Sequence, residues 1–124
     1  MVARHLVAAS MISLLALNGC DVDVFGLSEK KIAGGYRLYM GEGSFAIFAP
    51  NSSSGAGVIQ VGWSKPIIIA STSDRDWEVF DTSTGTSRQF LTTEQIRSDA
   101  TLRRIPLMPA QKAWDKLSHF QSQW

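Results

Sequence analysis

Apolar and polar residues alternate in short segments of the chain, which is the pattern of half-buried β-strands. Alternation over residues 36–40 predicts one strand, and the Gly-Glu-Gly sequence at residues 41–43 predicts a hairpin turn, because glycine readily adopts positive φ. Residues 45–49 then form the returning strand, which ends at Pro50, since proline cannot donate a hydrogen bond to a ladder. The pattern therefore begins with a β-hairpin.

Further strands follow, separated by turn residues. The unbroken apolar run of residues 67–70 predicts a strand that is covered on both faces and is therefore central in its sheet. Residues 77–80 and 87–91 flank a Thr-Ser-Thr-Gly turn. With residues 58–63 as one more strand, we expect an α+β fold that is mainly antiparallel, a single meander of five or six strands with one or two C-terminal helices packed on it.

Two helix starts are visible after the strands. Thr92 and Gln95 have the spacing of a capping box, and Leu91 is placed to pack on Ile96. Pro109 opens a second helix at a position where its missing N–H is not needed. That helix carries an apolar stripe, which either packs on the sheet or leaves the domain to bind a partner or a lipid surface, helped by Lys112 and Lys116. The stripe comprises Ala113, Leu117, Phe120 and Trp124.

Composition narrows the class of protein. The chain has 124 residues, 44% hydrophobic and 19% charged, which suits one globular domain. Its formal net charge of +1 provides no basic field for a phosphate backbone, so we expect no nucleic acid among its partners. A single cysteine excludes a disulfide within the chain.

The N-terminus has the features of an export signal. Arg4 precedes an apolar run over residues 6–17, which has the length of a signal-peptide core and is too short for a permanent span. The run ends in Leu17-Asn18-Gly19-Cys20, which resembles the lipobox of bacterial lipoproteins. The resemblance implies that Cys20 receives a diacylglyceryl thioether, that cleavage occurs before it, and that it becomes the N-terminus of a membrane-anchored protein.

Other interpretations of this segment stay open. Cys20 could be an ordinary small apolar residue after an uncut helix, or the protein could be secreted with cleavage elsewhere. Under the lipoprotein interpretation, residues 1–19 are the signal peptide, residues 20–31 a tether and residues 32–124 the domain. The protein would lie in the cell envelope, facing the periplasm or the exterior. Asp21 would favour the inner membrane in enterobacteria-like sorting.

Charge and aromatic residues suggest contact with another protein. Residues 21–81 hold five basic and eight acidic side chains, whereas residues 82–124 hold six and three; such a division suits a complementary partner. Aromatic anchors and arginine are typical of contact hot spots. The candidate partner-binding residues are Arg75, Trp77, Trp114 and Trp124. Most of the tryptophans of so small a domain are nevertheless expected in its core, because few other large side chains are available to fill it.

The pattern of polar residues predicts no catalytic set, no metal site and no cofactor. His119 is the one histidine after the leader, and a lone histidine without a second His or a free thiol does not form the common zinc or copper sites. Asp74 and Asp76, two residues apart on an extended segment, would point to the same side. They could serve acid/base chemistry if buried, or they could form an Asp-rich turn.

Three functions follow from these features. The first is a lipid-anchored envelope protein without enzymatic activity that binds another envelope protein, as inhibitors and immunity proteins do. The second is an accessory subunit of an envelope assembly complex, with the C-terminal helix reaching out. The third is a small hydrolase that uses Asp74 and Asp76. The order of segments also resembles short exported bacterial proteins of unassigned function, which implies no activity.

Overall fold

The strands of the protein form two antiparallel sheets, seen in a computed structural model that describes residues 28–124. The first sheet has the order β1-β2-β3-β4 and comprises β1 (Glu29–Ala33), β2 (Tyr36–Met40), β3 (Phe45–Ala49) and β4 (Ser52–Ser53). The second has the order β8-β7-β6-β5-β9 and comprises β5 (Gln60–Ser64), β6 (Ile67–Ser73), β7 (Asp76–Asp81), β8 (Thr86–Leu91) and β9 (Leu107–Pro109). The helices are α1 (Thr93–Ser98), a 3₁₀ helix (Leu102–Arg104) and α2 (Ala110–Lys116).

The antiparallel β architecture with short helices is confirmed, but the strands lie in two sheets instead of one meander. The break follows β4, which has only two residues and is succeeded by a Ser- and Gly-rich segment. This segment carries the chain out of the first sheet, so β5 pairs with β6 and β9 instead of with β4. Consecutive hairpins still build most of each sheet.

The second sheet separates two hydrophobic cores. Ile68 and Ala70 of β6 face the first core, between the two sheets and α2, whereas Ile69 faces a second core beneath α1 and the 3₁₀ helix. Both faces of β6 are therefore covered and it lies in the middle of its sheet, as the isoleucine run predicts. The second core comprises Ile69, Trp77, Val79, Ile96, Leu102 and Ile105.

Helix α1 begins as the sequence predicts. The Thr92 hydroxyl accepts from the Gln95 backbone N–H at 3.1 Å, and the Gln95 side chain accepts from the Thr92 N–H at 2.8 Å. Leu91 is partly buried against the second core, of which Ile96 is a member. Two of the unpaired N–H groups at the helix start are thereby satisfied.

The C-terminal apolar stripe does not form one helix, so this part of the prediction is wrong. Helix α2 ends at Lys116; Ala113 and Leu117 are buried in the first core, while Phe120 is 75% exposed. The chain beyond the helix runs along β1, where Lys31 N–H donates to the Ser118 carbonyl at 2.8 Å and Gln123 N–H donates to the Ile32 carbonyl at 2.6 Å. These bonds to an open strand edge replace the helical ones.

The boundary between tether and domain also needs correction. Strand β1 begins at Glu29, so residues 29–31 of the predicted tether belong to the first sheet. The reason is cross-strand pairing with β2, which a short charged segment does not reveal in the sequence. The predicted leader, Cys20 and Asp21 lie outside the described residues.

Gly62 of β5 lies against the chain that enters β9. A Cβ at this position would meet the Pro106 carbonyl oxygen and would lie 2.8 Å from Leu107 Cδ2. We expect Gly62→Ala to lower the free energy of unfolding by about 1–3 kcal/mol, because a backbone oxygen must move. Urea denaturation followed by circular dichroism measures this.

The matched control is Gly55→Ala, since nothing lies within 4 Å of a Cβ built there. We expect this variant to stay within about 0.5 kcal/mol of the wild type. Equal stability of the two variants would contradict the close approach at Gly62.

Candidate functional site

A hollow lies between an edge of the first sheet and an edge of the second. Strand β4 is the last strand of one sheet and β8 the last of the other. Residues 54–55, after β4, form one wall of a cavity of about 180 Å³, and residues 89–90 of β8 form another. Thr72, Asp76 and Glu78 line the floor. Two acidic side chains therefore lie at the bottom of a cleft between open strand edges.

Strand β7 places the two carboxylates on the same face. Asp76, Glu78 and Phe80 alternate along the strand, so their side chains point to the same side of the sheet. Phe80 is 1% exposed in the first core. Glu78 is 7% exposed and lies at the margin of that core, where the apolar packing gives way to the hollow.

Two β-bulges shape the site. Between β7 and β8 the register runs from Trp77↔Leu91 to Val79↔Arg88, which leaves one extra residue on β8 opposite Glu78. Phe90, in this bulge, has φ 59° and is 74% exposed. A second register shift lies between β6 and β7 beside Thr72. Bulges redirect side chains where a ladder is interrupted, and here both border the hollow.

The bulged strands supply hydrogen bonds to the acids. Gln89 Nε2 donates to Glu78 Oε2 at 3.0 Å, and Thr72 Oγ1 donates to Asp76 Oδ2 at 2.7 Å. Burial raises the pKa of Glu78 above its ordinary value; the Gln89 hydrogen bond opposes this shift, and the charge of Asp76 adds to it. The ion pair that forms within the described residues joins Arg37 to Glu29 in the first sheet. Among these residues, neither Asp76 nor Glu78 therefore has a cationic partner.

The two carboxylates of the hollow favour the binding of a positively charged group. Carboxylate oxygens of Asp76 and Glu78 can accept charge-assisted hydrogen bonds, which are stronger than neutral ones. In residues 28–124 the structure contains no group of three or more His, Cys, Asp or Glu side chains placed to hold a metal ion. The geometry is that of a small acidic pocket.

The structure does not bring the predicted partner-binding residues together. Trp77 is 4% exposed in the second core, where its Nε1 donates to Thr93 Oγ1 at 2.8 Å. Trp114 is 7% exposed in the first core, with Lys30 Nζ 4.6 Å from its ring centroid. Both side chains are needed for packing, so their prediction as surface anchors is corrected.

The other two predicted contact residues are more accessible but lie apart in the fold. Arg75 is exposed in the turn between β6 and β7. Trp124 is half-buried against the first core, and its Nε1 donates to Thr82 Oγ1 at 3.4 Å. These positions do not form a patch with the buried tryptophans.

The predicted pair of Asp74 and Asp76 is also separated. Asp76 begins β7 and lines the hollow, whereas Asp74 is exposed in the preceding turn. The Asp74 carbonyl accepts from Thr93 N–H at 2.8 Å and from the Thr93 hydroxyl at 3.1 Å, which ties the turn to the start of α1. Strand alternation does not extend into a turn, so the acid that accompanies Asp76 is Glu78.

Sequence reasoning missed Glu78, although a signal was present. It is the single charged residue in the apolar segment 77–80, and period-two alternation places it on the same side as Phe80. The other site residues, Gln89 and Ser54, come from strand pairing across a bulge and from a loop. No local pattern in the sequence indicates either.

Glu78→Gln tests the electrostatics of the hollow. Because the pKa of Glu78 is raised in the folded protein, the folded protein binds a proton at Glu78 more tightly than the unfolded chain does. The free energy of unfolding therefore falls as the pH rises from the ordinary glutamate pKa through the raised one. We expect the variant to melt a few degrees above the wild type at neutral pH. The difference should shrink as the pH falls toward the ordinary glutamate pKa. Thermal denaturation at several pH values measures this.

The matched control is Glu42→Gln, which removes one negative charge from the exposed β2–β3 turn. It should keep the wild-type pH profile. A Glu78→Gln protein that melts below the wild type at neutral pH, with an unchanged pH profile, would contradict the assignment of an unfavourably buried charge.

Comparisons with protein families, curated proteins and solved structures found no match to this chain. Among the described residues, no helix has the length and apolar character required to cross a membrane. The candidate site is therefore defined by the side chains, distances and strand edges of this protein alone.

Proposed function

We propose that this chain is a lipid-anchored protein of the bacterial cell envelope that binds another protein and does not itself catalyse a reaction. Two separate features support the proposal. One is the predicted export signal, residues 1–19, which is followed directly by Cys20. The other is the acidic hollow between β4 and β8, which lies beside the outer edge of β8, where no strand of the described residues pairs.

The anchor is supported by the resemblance of residues 17–20 to a lipobox. A buried methylene contributes about 0.8 kcal/mol, and a single acyl chain holds a protein only marginally, so stable attachment requires two or more chains. Ser28, the first described residue, is eight residues beyond Cys20, a reach of at most about 29 Å. An acylated Cys20 would therefore keep the domain close to the membrane surface.

The observation that carries the binding proposal is the exposed edge of β8. Five of its six residues are exposed, and in the described part of the chain no strand pairs with its outer side. Proteins usually cover or shorten such edges because they invite pairing with another strand. Strand β1 shows this protection, since the C-terminal segment is hydrogen-bonded to it. Leaving β8 open suits recognition by addition of a partner strand.

The hollow is also placed away from the proposed anchor. The tether would enter at β1, and β4 is at the opposite edge of the four-stranded sheet. Three strand spacings separate these edges, or about 14 Å. A partner could thus approach β8 while the β1 edge stays near the lipid.

The alternative function, an accessory subunit of an envelope assembly complex, depended on a C-terminal helix that extends away from the domain. Ala110, Ala113 and Trp114 of α2 are buried in the first core, so this helix is not free to reach out. The hydrolase alternative likewise lacks the Asp74–Asp76 pair on which it rested. The open edge of β8 favours the binding module.

Acylation of Cys20 is tested by the intact mass of the full chain expressed in a bacterial host. We expect the membrane fraction to contain a product that begins at Cys20 and carries fatty acyl mass, because the thiol is the acylated group. Cys20→Ser should abolish acylation and membrane retention. Asn18→Ala, two residues away, should retain both. A native product without acyl mass would overturn the anchor.

Partner binding at β8 is tested by photocrosslinking in intact cells. Phe90 and Phe120 are matched positions, being 74% and 75% exposed. We expect the membrane-anchored protein with p-benzoylphenylalanine at position 90 to form a crosslinked product of one defined mass with its partner, because this position lines the hollow. The same group at position 120 should not give that adduct. Absence of any adduct at position 90 would count against the binding function.

A further inference from the structure

We propose that the acidic hollow receives the basic side chain of an arginine carried on an extended strand of the partner protein, which pairs with the open edge of β8. This inference rests on the proposed binding function and names the chemistry that the partner must present. Three features of the hollow support it, namely its charge, its size and its position beside the strand edge.

The charge of the hollow is uncompensated within the described residues. Asp76 and Glu78 lie on the same face of β7, and Glu78 is 7% exposed. Their hydrogen-bond donors, Thr72 and Gln89, are neutral. A buried carboxylate without a cation is unfavourable. A guanidinium group would supply both the missing charge and several N–H donors in a planar fork that matches carboxylate oxygens.

The size of the cavity favours one side chain over a whole small molecule. Its volume is about 180 Å³, whereas pockets for drug-sized ligands are roughly 300–1,000 Å³. Phe90 lines the mouth with an exposed ring, and an arginine side chain can pack its methylenes and guanidinium against an aromatic face. The pocket therefore suits a long cationic side chain that enters from the surface.

A second hollow sets the expected spacing in the partner strand. It measures about 60 Å³ and is lined by Ser52 of β4, Phe80 of β7 and Ser87 of β8. Phe80 is two residues from Glu78, and alternate residues of an added strand face the same side. A strand on β8 would thus place its arginine in the acidic hollow and a small residue, two positions away, in the second hollow.

The test uses three seven-residue peptides with blocked ends and the full chain in dodecyl maltoside micelles. Each peptide has alanine two positions on either side of its central residue and threonine elsewhere, so either strand direction offers the same pattern. The central residue is arginine, citrulline or glutamate; citrulline has nearly the shape of arginine without its charge. Titrations are followed by backbone amide NMR.

We expect the arginine peptide to bind at least tenfold more tightly than the citrulline peptide, and the glutamate peptide to bind weakest. The amide shifts should centre on β8 and on residues 54–55. Equal affinity of the arginine and citrulline peptides, or shifts centred elsewhere in the domain, would overturn the proposal.

Variants of the hollow give a second, independent readout. Glu78→Gln should reduce the preference for arginine over citrulline to less than threefold, and Asp76→Asn should reduce it partly. Glu42→Gln, a matched loss of charge in the exposed β2–β3 turn, should leave the preference unchanged. Dispersed amide spectra show that each variant is folded. An arginine preference retained by both hollow variants would contradict the assignment.

The remaining occupant to distinguish is a second copy of this chain. Concentration-dependent shifts at β8 without peptide, together with a doubled mass in light scattering, would overturn the proposal in favour of self-association. The peptide experiment depends neither on Cys20 nor on a cellular partner. If no photocrosslink forms at position 90 but the arginine peptide still binds more tightly than the citrulline peptide, only the proposed cellular function is contradicted. If the photocrosslink forms but the two peptides bind equally, only the arginine pocket is contradicted.

Discussion

Burial of both faces of the β6–β7 pair is the constraint on which the rest of this structure depends. Ile68, Ala70 and Phe80 face the core shared with the first sheet and α2, while Ile69 and Val79 face the core beneath α1. Because neither face can be left to water, elements from both ends of the chain must pack on the same sheet. The short helices are stable in this context although they would be marginal alone.

The same constraint explains why a carboxylate is buried. A residue in the middle of β7 must point into one of two cores, and Glu78 points toward the first. The bulge on β8 places Gln89 where it can donate to the carboxylate, which offsets part of the cost of burial. The first sheet ends at the two-residue strand β4, so the region above Glu78 stays open. The acidic hollow therefore lies where the first sheet ends and no longer covers the core-facing side of β7.

Two of the four sheet edges, those of β1 and β8, are treated differently by the fold. At β1, the chain beyond α2 supplies backbone partners through Ser118 and Gln123. At β8, the described chain supplies none on the outer side. An open edge beside an uncompensated charge combines the two sources of affinity in strand addition, since main-chain hydrogen bonds provide attachment and a side-chain pocket provides specificity.

The sequence by itself determined six of the strands, β2, β3 and β5 to β8, together with the capping box at Thr92 and the two-sided burial of β6, because these depend on local periodicity and short-range hydrogen bonding. Strands β1, β4 and β9 are short and became visible only through their pairing with neighbouring strands. It also supplied the resemblance at Cys20. Only the tertiary structure decided that the strands form two sheets, which of the tryptophans lie in the core, and that the chain after α2 leaves its helical path. Likewise, the site joins Glu78 of one strand to Gln89 of the next and to residues 54–55 of a loop. Such contacts depend on register, bulges and sheet edges, which are set by which distant surfaces bury each other and leave no local pattern in the chain.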